Sequence, residues 1–234
     1  MRVTIVIPTY NEGTNIVLLI GQIRKAVPEV NILVVDDNSP DGTSNLVKEI
    51  ARSDKRVTLY LREKKEGLGP TYIAGFRKVL AGSEADYIVM MDADFSHDPK
   101  YLPEMLSFAQ INDVVVGSRY VKDGGTQGWE LWRRILSWGG NLYARIITGL
   151  PLHDCTGGFN VINVEKLKQV NFEHMDASGY AFILELKFLL ARAVATFIEV
   201  PIMFRNRTGG ESKMSSHIIR EGVLAPWKMS FWSK

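Results

Sequence analysis

Two carboxylates, Asp92 and Asp94, stand one residue apart at the end of an apolar run, Tyr87-Ile88-Val89-Met90-Met91. Side chains at i and i+2 of an extended segment leave the same face, so both acids can reach one cation. Mg2+ and Mn2+ take oxygen ligands, and their sites often combine one or two carboxylates with substrate phosphates. A cation there would neutralise charge growing on a departing diphosphate. Two acids on a solvated loop would read the same way in isolation. The position after a buried strand favours the chemical reading. Ser96 could supply a hydroxyl or a water-mediated contact to the metal, and His97 is expected to cap or pack.

A second acidic pair, Asp36-Asp37, ends another apolar run. A carboxylate there can accept hydrogen bonds from a base ring N–H or from ribose hydroxyls. The following Asn38-Ser39-Pro40-Asp41-Gly42-Thr43 is turn and helix-cap chemistry. Asp37 is therefore expected to be functional and Asp41 structural. Gly67-Leu68-Gly69 precedes a helical pattern and reads as a loop that needs positive φ. Neither G-x-G-x-x-G after the first strand nor G-x-x-x-x-G-K-[ST] occurs, which argues against a dinucleotide dehydrogenase and a P-loop enzyme.

The segment from Glu130 to Leu152 is basic and amphipathic. Trp129, Trp132, Leu136, Trp138, Leu142 and Ile146 interleave with Arg133, Arg134 and Arg145. Such a helix can lie at a bilayer surface, or it can pack normally with a basic solvent face. Ile218, Ile219, Val223, Leu224, Trp227 and Trp232, with Arg220, Lys228 and Lys234, form a second segment of this kind. Asp154-Cys155-Thr156-Gly157-Gly158-Phe159 reads as a tight functional turn in which Asp154 could orient a sugar or act as a base. Arg205, Arg207 and Lys213 flank a Gly/Ser-rich stretch, where cations on a loop suit a diphosphate that is clamped and released.

The elements that must position these groups follow from periodicity. Runs at Val3–Ile7, 31–35, 57–61, 87–91 and 113–116 alternate with helical patterns such as Ile16, Leu19, Ile20 and Ile23. Near-continuous apolar strands alternating with amphipathic helices indicate an α/β fold, a mostly parallel central sheet flanked by helices. Ligands in such sheets bind beyond the carboxyl ends of the strands, where the acidic pairs fall. The strict alternation stops after Tyr120, so 1–120 reads as the nucleotide-binding half and 121–234 as the acceptor half of one domain.

Composition bounds the rest. The chain has 234 residues, 46% hydrophobic and 23% charged, enough for a full core without staples. A formal net charge of +2 gives no whole-molecule field for nucleic acid, and acidic clusters in the cleft would repel a polyanion. The single cysteine, Cys155, cannot form an internal disulfide. No signal-peptide pattern and no run of about 18 apolar residues is seen, so the expected location is the cytoplasm, free or on a membrane surface.

Taken in order, the motifs resemble family-2 inverting glycosyltransferases of the nucleotide-diphospho-sugar (GT-A type) fold. Within them the chain looks like the dolichol-phosphate (polyprenol-phosphate) mannose synthases. The matching residues run from Pro8-Thr9-Tyr10-Asn11-Glu12 through 36–43, Met91–His97 and Gly117-Ser118-Arg119-Tyr120 to Asp154–Phe159 and Gly210-Glu211-Ser212-Lys213. The resemblance implies transfer of mannose from GDP-mannose to a dolichyl or polyprenyl phosphate, with Mg2+ or Mn2+ as cofactor.

It also implies roles for particular residues. Pro8, Tyr10, Glu12, Val35 and Asp37 would hold the nucleoside. Asp92, Ala93, Asp94 and Ser96 would meet the diphosphate, with Asp92, Asp94 and Ser96 on the metal, although many relatives have Gln where Ser96 stands. Arg119, Arg133 and Ser137 would bind the acceptor phosphate, and Arg207 and Lys213 would close over the donor. Asp92, Asp94, Arg119, Arg133 and Lys213 would thus carry catalysis. The same resemblance implies peripheral attachment to the cytoplasmic face of a membrane, with a separate anchoring protein as a further partner. The alternatives are a UDP-glucose or other sugar-nucleotide donor, and a non-catalytic sugar-nucleotide-binding protein at a membrane surface.

Overall fold

The structure, a computed structural model, describes residues 1–82, 85–175, 179–206 and 216–231. The five apolar runs form β1 (Val3–Thr9), β2 (Asn31–Asp36), β3 (Val57–Leu61), β4 (Tyr87–Met90) and β5 (Val114–Ser118). Between them lie α1 (Ile16–Ala26), α2 (Thr43–Ser53), α3 (Leu68–Gly82) and α4 (Leu102–Ala109). Helix α1 buries Ile16, Leu19, Ile20 and Ile23, the set that shares one helical face. Ile5, Val6 and Ile7 are all buried, because helices cover both faces of the sheet.

The second half adds β6 (Gly125–Gln127), α5 (Leu131–Thr148), β7 (Asn160–Asn163), α6 (Val164–Leu167), α7 (Gly179–Arg192), β8 (Phe197–Pro201), β9 (Met203–Arg205) and α8 (Ser216–Phe231). The main sheet has the order β3-β2-β1-β4-β7-β5-β8, and β6 pairs with β9 in a small second sheet. Strand β7 runs antiparallel to both its neighbours, β4 and β5, while the other pairs are parallel. Strand–helix alternation stops at Tyr120, yet β7 and β8 join the sheet begun by the first half. Strand β7 reads Asn-Val-Ile-Asn, with two apolar residues in four, too few for periodicity to reveal it.

The inserted strand decides where the site forms. Because β7 is antiparallel, its first residue, Asn160, pairs with Met90 of β4 and Val116 of β5. The turn that leads into β7 therefore lies at the carboxyl ends of β4 and β5. One sheet edge gathers the loop carrying Asp92 and Asp94, the loop carrying Arg119 and the turn at Asp154.

Helix α3 closes onto β1 and β2 through Gly75. A Cβ at this position would lie 2.6 Å from Val6 Cγ1 and 3.0 Å from Val35 Cγ2. Helix propensity alone favours alanine there by about 1 kcal/mol. The overpacking should outweigh it, so Gly75→Ala is expected to lose about 1–2 kcal/mol in urea unfolding. An unchanged or raised midpoint would show that α3 can shift freely against the sheet.

Candidate active site

At the carboxyl edge the chain turns sharply after three strands. Asn11, Asn38 and Phe95 follow β1, β2 and β4 with φ of 61°, 57° and 62°. Asparagine tolerates this region, but a bulky aromatic is strained there by about 1–2 kcal/mol. The strain at Phe95 turns the chain so that the Ser96 amide donates to Asp94 Oδ1 at 3.0 Å.

Asp92 is held from two sides. Tyr72, on α3, donates its hydroxyl to Asp92 Oδ1 at 3.0 Å. Burial, and then the charge of Asp92, push the Tyr72 phenol well above its ordinary value, so it stays a donor. The Asp92 amide donates to His97 Nδ1 at 3.0 Å. That assigns the ring proton to Nε2, so the 4.0 Å approach of Nδ1 to Asp92 Oδ2 is proximity and not an ion pair. His97 is buried and stacks on Phe159 at 5.0 Å, as a packing residue should.

These residues fit a hard divalent cation. The Asp92 side chain is 30% exposed, and Ser96 Oγ is buried without a hydrogen-bond partner among the described residues. A buried unpaired hydroxyl costs about 1–3 kcal/mol, a cost that a cation or its water shell would relieve. Among the described residues no group of three His, Cys, Asp or Glu could chelate a metal by itself. A cation at Asp92 and Asp94 would complete its shell with phosphate and water oxygens.

The two acids of the other pair are held differently. Asp36 is fully buried and accepts from Thr9 Oγ1 at 2.8 Å and from Ser39 Oγ at 2.6 Å, a structural role. Asp37 accepts from Arg62 Nη1 at 2.6 Å and from Thr71 Oγ1 at 2.9 Å. Arg62 also pairs with Glu66, so Asp37 is oriented by a network of side chains from β3 to α3. Asp41 accepts from Thr43 and Gly13; burial raises its pKa, but those bonds outweigh it and lower the value.

Pro8 lies in register with Val35, while Tyr10 is half-buried beneath Lys65 Nζ at 3.7 Å from the ring centroid. Glu12 holds Asn15 Nδ2 at 2.9 Å. Val35 and Ala93 require a correction as ligand contacts. As whole residues, backbone included, they are 0% and 3% exposed, so neither offers surface for a nucleotide to touch.

After β5, Arg119 is 7% exposed and tied to Asp154 by Nε–Oδ2 and Nη2–Oδ1 bonds, both 2.7 Å. Asp154 also accepts from the Gly157 amide at 2.8 Å. Lys187 of α7 is buried and donates to the carbonyls of Asp154 and Gly157, at 2.9 and 3.0 Å. Burial raises the Asp154 pKa, but the Arg119 charge and bonds dominate and lower it to about 2. Burial lowers Lys187 to about 8. The reading of Asp154 as a base is corrected: it is a committed counter-ion. Lys187 was missed, although a lone cation among Phe182, Leu184, Phe188 and Leu190 was the available signal.

Helix α5 presents two faces. Arg133, Ser137 and Asn141, four residues apart, look inward. Ser137 Oγ accepts from Tyr120 Oη at 2.7 Å, and Asn141 Oδ1 accepts from the Thr156 amide at 3.1 Å. Trp129 is turned in beneath the two arginines: its ring centroid is 4.3 Å from the Arg133 guanidinium carbon and 5.8 Å from that of Arg119. The structure thus brings Arg119, Arg133 and Ser137 together. The outer face of α5 exposes Trp132, Ile135, Leu136, Trp138 and Ile146. Tyr143 Oη joins it to α8 through the Val223 carbonyl at 2.8 Å, and α8 exposes Val223, Leu224, Trp227 and Phe231. Arg207, Lys213, Trp232 and Lys234 lie outside the described residues.

A sequence profile described as "Glycosyl transferase family 2" matches residues 4–170. The chain belongs to glycosyl transferase family 2. It is 43% identical over 224 residues to an undecaprenyl-phosphate mannosyltransferase of Micrococcus luteus, covering 96% of this chain and 92% of that protein. It is 40% identical over 230 residues to a polyprenol monophosphomannose synthase of Mycolicibacterium smegmatis, covering 97% and 86%. The structure is similar to glucosyl-3-phosphoglycerate synthase of Mycobacterium tuberculosis bound to Mn2+, UDP and glucosyl-3-phosphoglycerate (TM-score 0.66, 19% identity, 98% and 79% covered). It is also similar to a mannosyltransferase of Pyrobaculum calidifontis in complex with GDP-Man and Mn2+ (TM-score 0.61, 17% identity, 99% and 63% covered). At these identities the structural likeness is one of fold, and that fold is GT-A.

The Asp154 pair in this glycosyltransferase makes a testable contribution to stability. Asp154→Asn leaves Arg119 and Lys187 buried without their counter-ion and should cost about 3–5 kcal/mol in urea unfolding. The folded pKa of Asp154, about 2, lies below the ordinary carboxylate value of 3.8. Its stabilisation is therefore present above pH 3.8 and lost as pH falls toward 2, a change of about 2 kcal/mol. Urea midpoints measured from pH 4.5 to 2 should fall more steeply for the native chain than for Asp154→Asn. Parallel curves would contradict the assignment.

Proposed function

We propose that the chain transfers mannose from GDP-mannose to the phosphate of a dolichyl or polyprenyl phosphate with inversion, giving polyprenyl-phosphate mannose and GDP. The observation that carries this reading is the pair of relatives at 43% and 40% identity, whose names specify mannose and a polyprenol or undecaprenyl phosphate and which match almost the whole chain. The donor rests on the motif resemblance. The Pyrobaculum complex adds that this fold can hold GDP-Man together with Mn2+.

The chemistry needs little acid or base help. A phosphate monoester has a second pKa near ~6, so the acceptor oxygen is already anionic near neutral pH. That oxygen forms a bond to the anomeric carbon from the face opposite the diphosphate. The carbon–oxygen bond to the diphosphate breaks, and its electron pair leaves on GDP. No proton has to move, which agrees with Asp154 being occupied elsewhere. Alignment and charge placement supply the rate.

Asp92 and Asp94, with Ser96 alongside, would hold Mg2+ or Mn2+, which when bound would neutralise the departing diphosphate. Tyr72 and His97 keep Asp92 in place. Asp37 would accept from the nucleoside, beside Pro8, Tyr10 and Glu12. Arg133 and Ser137 would aim the acceptor phosphate, with Arg119 fixing their frame. Arg207 and Lys213 would close on the donor.

The lipid substrate calls for contact with a bilayer. The exposed Trp, Leu and Ile of α5 and the Val, Leu and Trp of α8 form an apolar surface edged by Arg134 and Lys228. Among the described residues no helix is long and apolar enough to cross a membrane. That apolar surface and the resemblance support a reading of peripheral attachment on the cytoplasmic face, with or without a separate anchoring protein.

Purified protein with Mn2+ and a short polyprenyl phosphate, incubated with GDP-mannose, UDP-glucose or UDP-GlcNAc, should yield lipid-linked sugar by mass spectrometry from GDP-mannose alone. Product from a UDP-sugar only would replace the donor, and no product from any donor would overturn the reading. The protein should also co-sediment with anionic vesicles at low salt; recovery in the supernatant would remove the membrane claim.

A further inference from the structure

The two arginines of the acceptor side are held in opposite ways. Arg119 is bonded to a carboxylate through two nitrogens, and Asp154 compensates its charge in full. Arg133 has no carboxylate within ion-pair distance among the described residues. Among the described residues, the two groups that hold it are uncharged. The Trp129 ring lies 4.3 Å from its guanidinium carbon, and Asn206 Oδ1 accepts from Nη1 at a long 3.4 Å. The acid nearest in sequence, Glu130, is turned to the Trp132 indole N–H at 2.5 Å.

Asn206 is itself fixed in orientation. It follows β9, and its amide donates to the Gln127 carbonyl at 3.2 Å as the β6–β9 ladder ends. Its side-chain Nδ2 donates to the Gly128 carbonyl at 3.0 Å. That bond turns the NH2 end toward Gly128 and leaves Oδ1 as the group that faces Arg133. Trp129 is fixed as well, edge-on to Phe204 at 5.5 Å between centroids. A ring face and an amide oxygen attract a guanidinium through quadrupole and dipole, and neither cancels its charge.

We propose that Trp129 and Asn206 are positioning residues that hold Arg133 without neutralising it, keeping its full charge for the acceptor phosphate. The inference rests on the acceptor reading given above. Arg119 supplies the fixed frame and Arg133 supplies the net positive charge that a phosphate meets. A carboxylate at position 206 would lose the bond to the Gly128 carbonyl, but it would pair with Arg133 and compete with that phosphate.

Steady-state kinetics with the full chain, Mn2+, GDP-mannose and a short polyprenyl phosphate test this. Arg133→Ala should raise the acceptor KM tenfold or more and leave the donor KM within twofold. Asn206→Asp should raise the acceptor KM by a comparable factor. Asn206→Ala should raise it less, because it loosens Arg133 without quenching it. Trp129→Phe should stay near the native value and Trp129→Leu should not. Thermal melts of each variant check that all are folded; Asn206 is exposed, so its variants should melt with the native chain. If Arg133→Ala raises the acceptor KM but Asn206→Asp does not exceed Asn206→Ala, the neutral-cradle inference is overturned and the acceptor site stands. If Arg133→Ala leaves the acceptor KM unchanged, the acceptor reading itself fails.

Discussion

The buried pair of Arg119 and Asp154 is the interaction on which the geometry of the site depends. Asp154 accepts from the Arg119 amide, Nε and Nη2 and from the Gly157 amide, and Lys187 holds the carbonyls of the same turn. These bonds join the end of β5, the turn before β7 and helix α7. Thr156, in that turn, is in turn latched to Asn141 of α5. The helix that carries Arg133 and Ser137 is thus referenced to the sheet through polar bonds in a buried setting, where each is stronger than in water and where leaving one unmade is costly. Strand β7, inserted antiparallel between β4 and β5, brings that turn beside Asp92.

The carboxyl edge of β1, β2 and β4 is built by a different device. Three loops leave parallel strands at one edge and turn through left-handed residues, which puts Asp37 and the pair Asp92 and Asp94 at the same edge of the sheet. Two of these acids are oriented by partners from α3 or its approach: Tyr72 for Asp92, Thr71 and Arg62 for Asp37. Helix α3 reaches them because Gly75 lets it lie close on Val6 and Val35. A small residue in a helix, far from any ligand, therefore sets the position of two acids. Preorganisation of this kind is what charge stabilisation of a leaving diphosphate requires.

Much of this was legible in the chain. The strands β1 to β5 are long β-branched runs with few alternatives, and the acids at their ends fall where such a sheet puts ligands. Asp41 was readable as structural because the turn residues around it, Thr43 among them, offer it local partners. The sequence did not reveal β7, since a four-residue strand with polar ends has no period to read. Nor did it separate the inward Trp129 from the outward Trp132 and Trp138, because helical spacing is undefined for a residue just before the helix. The role of Asp154 was misread for a related reason: its partner Arg119 is 35 residues away and Lys187 is 33, and only the fold brings them together.

The central claim is that a divalent cation and a nucleoside diphosphate meet at the end of β4. Anomalous diffraction from crystals grown with Mn2+ and GDP would test it most directly. The account predicts a single strong manganese signal bridging the GDP phosphates to the carboxylates of Asp92 and Asp94, with Ser96 nearby. A manganese signal at any other place, or GDP bound away from this edge with the two carboxylates unliganded, would contradict it.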